Sequence, residues 1–334
     1  MQTKGNLHEA ALLALFRRPA NPAASCLHLI RHLQPVSRAL LINGSGKSQP
    51  TVTRAVSALM NAELVRERND LIESQGPGRP SIPLELAPTP WIHIGIALGT
   101  NTVYIGAYNT RGVAIRETML NMVAAEMSPE TYFAEILSEV TEIIKATELP
   151  AAGIGIATGG RVTTQGIVSA PNLNWDHVPA AEILHAMTSL PLTLSEVPLA
   201  IAGAEQQAQN PMQPAKVLVL YADHTRGAAL STAESVSRLP VDSTITLERA
   251  AASLVVATQP DALVLAGNSF ENPLTARAVA EALRNVGTLP EIRIIPTHLD
   301  NARSAARAVA LDKLIYDPLV VRRQVTMLTN EFII

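Results

Sequence analysis

The 334-residue sequence predicts an α/β chain in two unequal parts: a small helical unit closed by a hairpin over 1–88, then a two-lobed domain with a cleft between its lobes. Three observations predict it. Two short helical patterns meet at a Gly-rich turn between Gln34 and Leu64; the Pro-rich stretch Pro88-Thr89-Pro90 marks a change of composition; and beyond it β-branched runs cluster in threes, then alternate with Ala-rich helical patterns, twice over. The first lobe is expected over 91–198 together with 300–334, and the second over 199–299.

The chain is 47% hydrophobic, yet no apolar run approaches the ~20 residues needed to cross a bilayer. The N-terminus lacks the charged start, apolar centre and cleavage site of a secretion signal, so a cytoplasmic protein is expected. The single cysteine, Cys26, excludes an intrachain disulfide and any Cys-rich zinc site, and reads as a core residue of a helix. Charge is uneven. Met1 to Pro90 holds ten Lys and Arg against six Asp and Glu, and the remainder sixteen against twenty-three. A basic small unit on an acidic larger one suits nucleic-acid binding by the first and self-association or ligand binding by the second.

Asn6 to Arg18 reads as an amphipathic helix broken by Pro19 to Pro22, and Ala23 to Leu33 as a second. His28 and His32 share a helical face at metal-ligand spacing, but no Glu or Asp lies nearby and Cys26 reads as core, so solvated or DNA-facing histidines are expected. Ser37 is a good N-cap for a helix through Leu40, Leu41 and Ile42, with Asn43, Gly44 and Gly46 supplying the turn. Ser48 caps the next helix, which has Pro50 in its first turn and Val52, Val56, Leu59 and Met60 as its buried stripe. Its other face carries Gln49, Thr51, Thr53, Arg54 and Ser57, with no acidic residue from Gln49 to Ala62. Short hydrogen-bonding groups and one guanidinium are what a helix lying against phosphates and base edges requires. Leu64 to Arg68 and Gly76 to Leu86 then read as the two strands of a wing. Its Arg79, between Gly78 and Pro80, is placed to enter a minor groove or grip a phosphate; the alternative is a linker hairpin that touches nothing. The candidate DNA contacts are thus Arg38, Lys47, Ser48, Gln49, Thr51, Thr53, Arg54 and Arg79, on a winged helix-turn-helix. Gly46-Lys47-Ser48 imitates the end of a phosphate-binding P-loop, but Leu41 stands where its first glycine is required.

Downstream, strands are expected at 91–98, 102–108, 113–120, 153–157, 192–194, 217–221, 228–232, 262–265 and 292–296. Helices are expected at 129–147, 180–188, 199–207, 247–257, 274–285 and 302–314.

The order of these pieces resembles the ROK family of repressors, open reading frames and kinases, over about 27–311. Gly153-Ile154-Gly155-Ile156-Ala157 through Ser169-Ala170-Pro171-Asn172-Leu173-Asn174-Trp175 carries the resemblance best. Ser37-Arg38-Ala39, Pro50 to Val56, Gly78-Arg79-Pro80-Ser81 and the helix Ala302 to Leu311 are also similar. The resemblance implies a winged helix joined to a sugar-kinase-like domain of the actin and Hsp70 ATPase, ribonuclease H-like, fold.

The departures bear on function. Where the family's kinases carry an Asp for Mg·ATP, this chain has Ala97, and where they carry a sugar-binding Asn and a general-base Asp it has Glu196 and Val197. Ala222 to Gly227 replaces the second phosphate loop, with Asp223 set to repel a polyphosphate. Ser231 to Thr244 is too short to hold the family's zinc segment. The resemblance therefore implies no catalytic residue, metal or cofactor, and a domain that serves as sensor and dimeriser. Its aligned cleft offers Gly160, Arg161, Asn172, Asn174, Glu196, His224, Thr225 and Arg226 as ligand contacts. Arg161 and Arg226 suit an anionic metabolite better than a neutral sugar; alternatively both form lobe-to-lobe salt bridges with Glu196, Asp223 or Asp176, and Trp175 is plain core. The expected function is a sequence-specific DNA-binding regulator, homodimeric or tetrameric, on a palindromic operator. The alternatives are a sugar kinase with a DNA-binding appendage and a ligand-free oligomeric regulator.

Overall fold

The N-terminal unit is three helices and a two-stranded ladder, in a computed structural model that describes residues 15–71, 82–287 and 289–331. α1 (Pro22–Leu33) is capped by Asn21, whose side chain accepts from the Ala24 amide. α2 (Arg38–Ser45) is capped by Ser37, which accepts from Leu40. α3 (Gln49–Asn61) opens with Pro50 in its first turn and buries Val52, Ala55, Val56 and Leu59. β1 (Val65–Glu67) pairs antiparallel with β2 (Leu84–Leu86), and the part of the expected wing between them, including Arg79, lies outside the described residues.

Two local expectations change. Gly44 belongs to α2 rather than to the turn, lying against the Leu29 side chain, and Gly46 alone adopts the left-handed backbone, φ 63°, that ends the helix. Of the helix expected over 6–18, residues 6–14 lie outside the described residues. Residues 15–18 are not helical, since Arg17 bridges to Ser235 and Phe16 is buried against Gly203. The Phe16 amide donates to the buried Asp312 carboxylate at 2.8 Å. Burying a whole aromatic ring outweighs a marginal helix of a few turns.

The first lobe comprises β3 (Ile92–Leu98), β4 (Thr102–Tyr108), β5 (Ala114–Asn121), α4 (Pro129–Thr147), β6 (Ala151–Thr158), a small sheet of β7 (Arg161–Val162), β8 (Val168–Ala170) and β9 (Trp175–Val178), then α5 (Ala180–Met187) and β10 (Leu192–Glu196). The second comprises α6 (Val197–Ala208), β11 (Val217–Ala222), β12 (Arg226–Ser231), β13 (Val236–Leu239), α7 (Leu247–Thr258), β14 (Ala262–Ala266), α8 (Pro273–Arg284) and β15 (Glu291–Ile294). The sheets run β5-β4-β3-β6-β10 and β13-β12-β11-β14-β15. In both, the first three strands are antiparallel and the last two join parallel, so the lobes share one topology, as the repeated pattern in the sequence implied. The small sheet and β13 were not anticipated. Trp175 is core, stacked edge-on to Tyr132 with ring centroids 5.6 Å apart.

α9 (His298–Tyr316) and α10 (Pro318–Glu331) complete the chain. α9 is Ala-rich because it lies at backbone distance from the first sheet: a methyl group at Gly95 would meet the Ala306 carbonyl, and one at Gly155 the backbone of Val309 and Ala310. Its other faces join the second lobe through Ala305 and Ala308 and the N-terminal unit through Leu311, Leu314 and Ile315. The core of that unit therefore continues past Pro88-Thr89-Pro90 into α9 and α10, with Trp91 fully buried in it. Arg322 stacks over the Trp91 ring at 5.3 Å, donates to the Ala62 carbonyl and pairs with Glu63. Cys26 is buried in α1 as expected, and burial pushes its thiol up to about 11.

Two expected outcomes follow. Gly155→Val forces backbone apart in a filled core and should cost about 1–3 kcal/mol or more of unfolding free energy, read from urea midpoints. Burial raises the Asp312 pKa to about 6, against the weaker downward pull of the Phe16 amide. A raised acid pKa contributes stability that is complete below about pH 4 and lost as pH rises through about 6. Asp312→Asn should remove that fall, and denaturation midpoints across this window check it.

Candidate nucleic-acid interface and interlobe cleft

From Ala10 to Ala62 the sequence contains no Asp or Glu. On this carboxylate-free surface α2, the Gly46 turn and α3 present Lys47, Ser48, Gln49, Thr53 and Arg54 to solvent, with Thr51 half-buried. Ser48 and Thr51 share a hydroxyl hydrogen bond of 2.9 Å across the first turn of α3. Lys47 and Arg54 join no ion pair among the described residues, whereas Arg38 is tied to Glu67 at 2.7 Å. At the ladder, Arg66 and Arg68 grip the buried Glu85, and Arg68 also holds Asp70. Burial alone would raise the Glu85 pKa; these arginines outweigh it and hold the carboxyl below its ordinary range.

His28 and His32 are half-buried rather than freely solvated as the sequence had suggested. They stack edge-on at 4.8 Å, and His28 Nδ1 and His32 Nε2 are shielded from solvent. Burial, with Arg31 and the neighbouring ring adding to it, drives the His28 pKa down to about 3. Tertiary packing of α1 against the larger domain overrides the polar spacing. Among the described residues no group of three or more His, Cys, Asp or Glu side chains is placed to share a metal ion.

The eight cleft candidates fall into separate places. Asn172, His224 and Thr225 line the floor between the lobes with Ala97, Val197 and Asn301, around a cavity of about 30 Å³. That is room for a water molecule or two. The Asn172 amide reaches the Thr100 hydroxyl at 3.4 Å, and Asn301 on α9 accepts from the Gly267 amide at 3.2 Å. Asp223 faces the same floor, its carboxylate accepting from the Tyr221 hydroxyl at 3.2 Å.

Glu196 lies apart, buried beside a second cavity of about 180 Å³. It accepts from the Val162 amide at 2.9 Å, pairs with Arg238 and stands 4.0 Å from the exposed Arg161. Arg226 donates to the Ile245 carbonyl at 2.7 Å. The two arginines expected to share an anion therefore do not meet on the cleft floor; Arg161 lies near Glu196 of its own lobe, and the lobe-to-lobe pair with Glu196 is made by Arg238. Gly160, at φ +84°, lies tight against Ser169 and Ala170, and Asn174 ends a short turn; both shape backbone. Arg238 and Asn301 escaped the sequence reading because nothing near either residue in sequence marks it as facing the cleft.

Two lobes of one topology close on this floor. Residues 94–230 match the ROK family. Transcriptional regulators of Mycobacterium tuberculosis and Mycobacterium bovis are each 29% identical over 302 residues, covering 88% of this chain. The chain spans 64% of their length. Among solved structures, a ROK family transcriptional regulator homologous to the E. coli MLC protein shares the fold at TM-score 0.68 and 17% identity, over 91% of this chain and 98% of that one. A ROK hexokinase from Thermus thermophilus does so at TM-score 0.53 and 18% identity, over 66% of this chain and 98% of that one.

Proposed function

We propose that the chain is a sequence-specific DNA-binding transcriptional regulator of the cytoplasm. Its winged helix-turn-helix grips a palindromic operator, and its ROK domain dimerises and senses a small metabolite without phosphoryl transfer. The observation that carries the reading is the face of α3: hydroxyls, an amide and a guanidinium with no ion pair among the described residues, in a stretch from Ala10 to Ala62 without Asp or Glu. Gln49, Thr51, Thr53 and Arg54 then address bases or nearby phosphates, and Lys47 and Ser48 the backbone at the helix start. Arg38 shares itself between Glu67 and a phosphate, and Arg79 reaches the minor groove. The named role of the mycobacterial relatives supports the same assignment.

The rival reading, a sugar kinase with a DNA-binding appendage, meets Ala97 and Val197 at the cleft floor. Neither side chain can hold a metal or take a proton. Losing a general base alone costs about 10² to 10⁴ in rate. An ATP-dependent phosphoryl-transfer assay over a broad sugar panel should therefore show no turnover above background, and turnover would restore the kinase reading. The narrow floor of the cleft favours a regulator whose effector binds elsewhere, or none at all.

Genomic footprinting tests the reading directly, since a regulator protects discrete palindromic sites whose half-site centres lie about 34 Å apart. On such a site Arg54→Ala should cost about 1–3 kcal/mol of binding and relax preference at one position. An equal loss on random DNA would reassign Arg54 to the phosphate backbone.

A further inference from the structure

A third cavity, of about 150 Å³, lies where four segments converge: α1, the turn between β4 and β5, α6 and α9. Its walls bring together Arg31, Arg111 and Arg307, with His32 and Gln207 beside them and no carboxylate among the lining residues. Several arginines elsewhere hold acids: Arg38 has Glu67, Arg293 has Glu205 and Glu291, Arg303 has Glu117 and Arg322 has Glu63. Here neither Arg31 nor Arg307 does, among the described residues. Arg31 has Nε and Nη1 shielded from solvent without a hydrogen-bond partner among the described residues. Burial and then the neighbouring Arg307 charge pull its pKa down to about 10, with no acid acting in the opposite sense. Arg307 joins no ion pair among the described residues. Arg111 donates to the Leu86 carbonyl and stands 4.0 Å from Glu85, a carboxylate already held by Arg66 and Arg68.

Burying a guanidinium beside two others without a counter-charge costs stability, so the arrangement calls for an anion that supplies the missing oxygens. Guanidinium forks match phosphate and carboxylate oxygens in pairs, and the volume holds such a group with a few further atoms. We propose that this cavity is the effector site, and that it takes a small metabolite bearing a phosphate or several carboxylates. The anion ties Arg31 of the N-terminal unit to Arg307 on α9 and Arg111 of the first lobe, and so sets how firmly that unit is held. The anion site stands on the cavity alone; its role as effector rests on the regulator reading above.

The test uses the full chain with inorganic phosphate, sulfate or citrate as probes, against chloride at matched ionic strength. Phosphate or citrate at millimolar concentration should raise the melting temperature and bind in calorimetry. Which probe binds more tightly separates a phosphate ester from a polycarboxylate. Arg31→Met should raise the anion-free melting temperature, by removing an uncompensated buried charge, and abolish the response. Arg307→Gln, at an exposed position that folding tolerates, should weaken probe binding by about tenfold or more, the worth of one charge-assisted hydrogen bond. No anion-specific shift in the native chain, or an undiminished shift in Arg307→Gln, overturns the site.

Operator affinity should change by about fivefold or more with the anion, and not in Arg307→Gln. Anion binding with unchanged operator affinity overturns the effector role. A uniform loss on all DNA in both variants, without anion binding by the free protein, would make these arginines DNA phosphate contacts and overturn the proposal. Absence of any DNA preference would instead sink the regulator reading, while the thermal and calorimetric results decide the anion site separately.

Discussion

The contact on which the other parts depend is the seating of α9 at backbone distance from β3 and β6. Gly95 and Gly155 leave no side chain between helix and sheet, and the alanines of α9 allow the reciprocal approach. An Ala-rich helix contributes little apolar area per residue, so its hold comes from many close contacts rather than from a few large side chains. That geometry fixes the first lobe to the helix. The second lobe and the N-terminal unit attach to its remaining faces, and each is positioned only as well as α9 is. Interdigitated backbone also resists sliding, which favours hinge-like over shear-like movement of the parts around it.

Two kinds of arginine environment coexist in the molecule. Most guanidiniums answer a specific carboxylate, and the buried Glu85 and Glu196 each collect more than one. Such pairs neutralise one another and fix the register of the elements that carry them, with little net gain at exposed positions. Among the cations without an ion pair in the described residues, Lys47 and Arg54 stand in open solvent around α3, and Arg31 and Arg307 line a cavity. Solvent satisfies the first group until a partner arrives. The second has less access to water, and for that reason its pairing is the more specific requirement.

Legibility in the sequence followed the range of the interactions. The cap at Ser37, Pro50 in a first turn, the stripe of α3 and the alternation of the two lobes are set by neighbours a few residues away, and spacing reveals them. Ala97 and Val197 were legible through family resemblance, and both line the cleft floor. The fate of Arg161 was not, because it depends on Glu196 and Arg238, brought near by the fold. Phe16 lost its helical pattern to a burial site on Gly203, and His28 and His32 lost part of their solvation to the packing of α1. β7, β8 and β13 are too short to show a period of two. Arg31, Arg111 and Arg307 lie tens to hundreds of residues apart, beyond any local spacing rule.

Trp91 and Arg322 give the architecture a further property. Because the indole is walled by residues from both ends of the chain, the head piece is discontinuous in sequence although it is continuous in space. A chimera joined at Pro88-Thr89-Pro90 would leave one partner with an uncovered indole and the other with an orphaned C-terminal helix. Exchange of heads between such proteins, by recombination or by design, must therefore transplant the tail with the beginning.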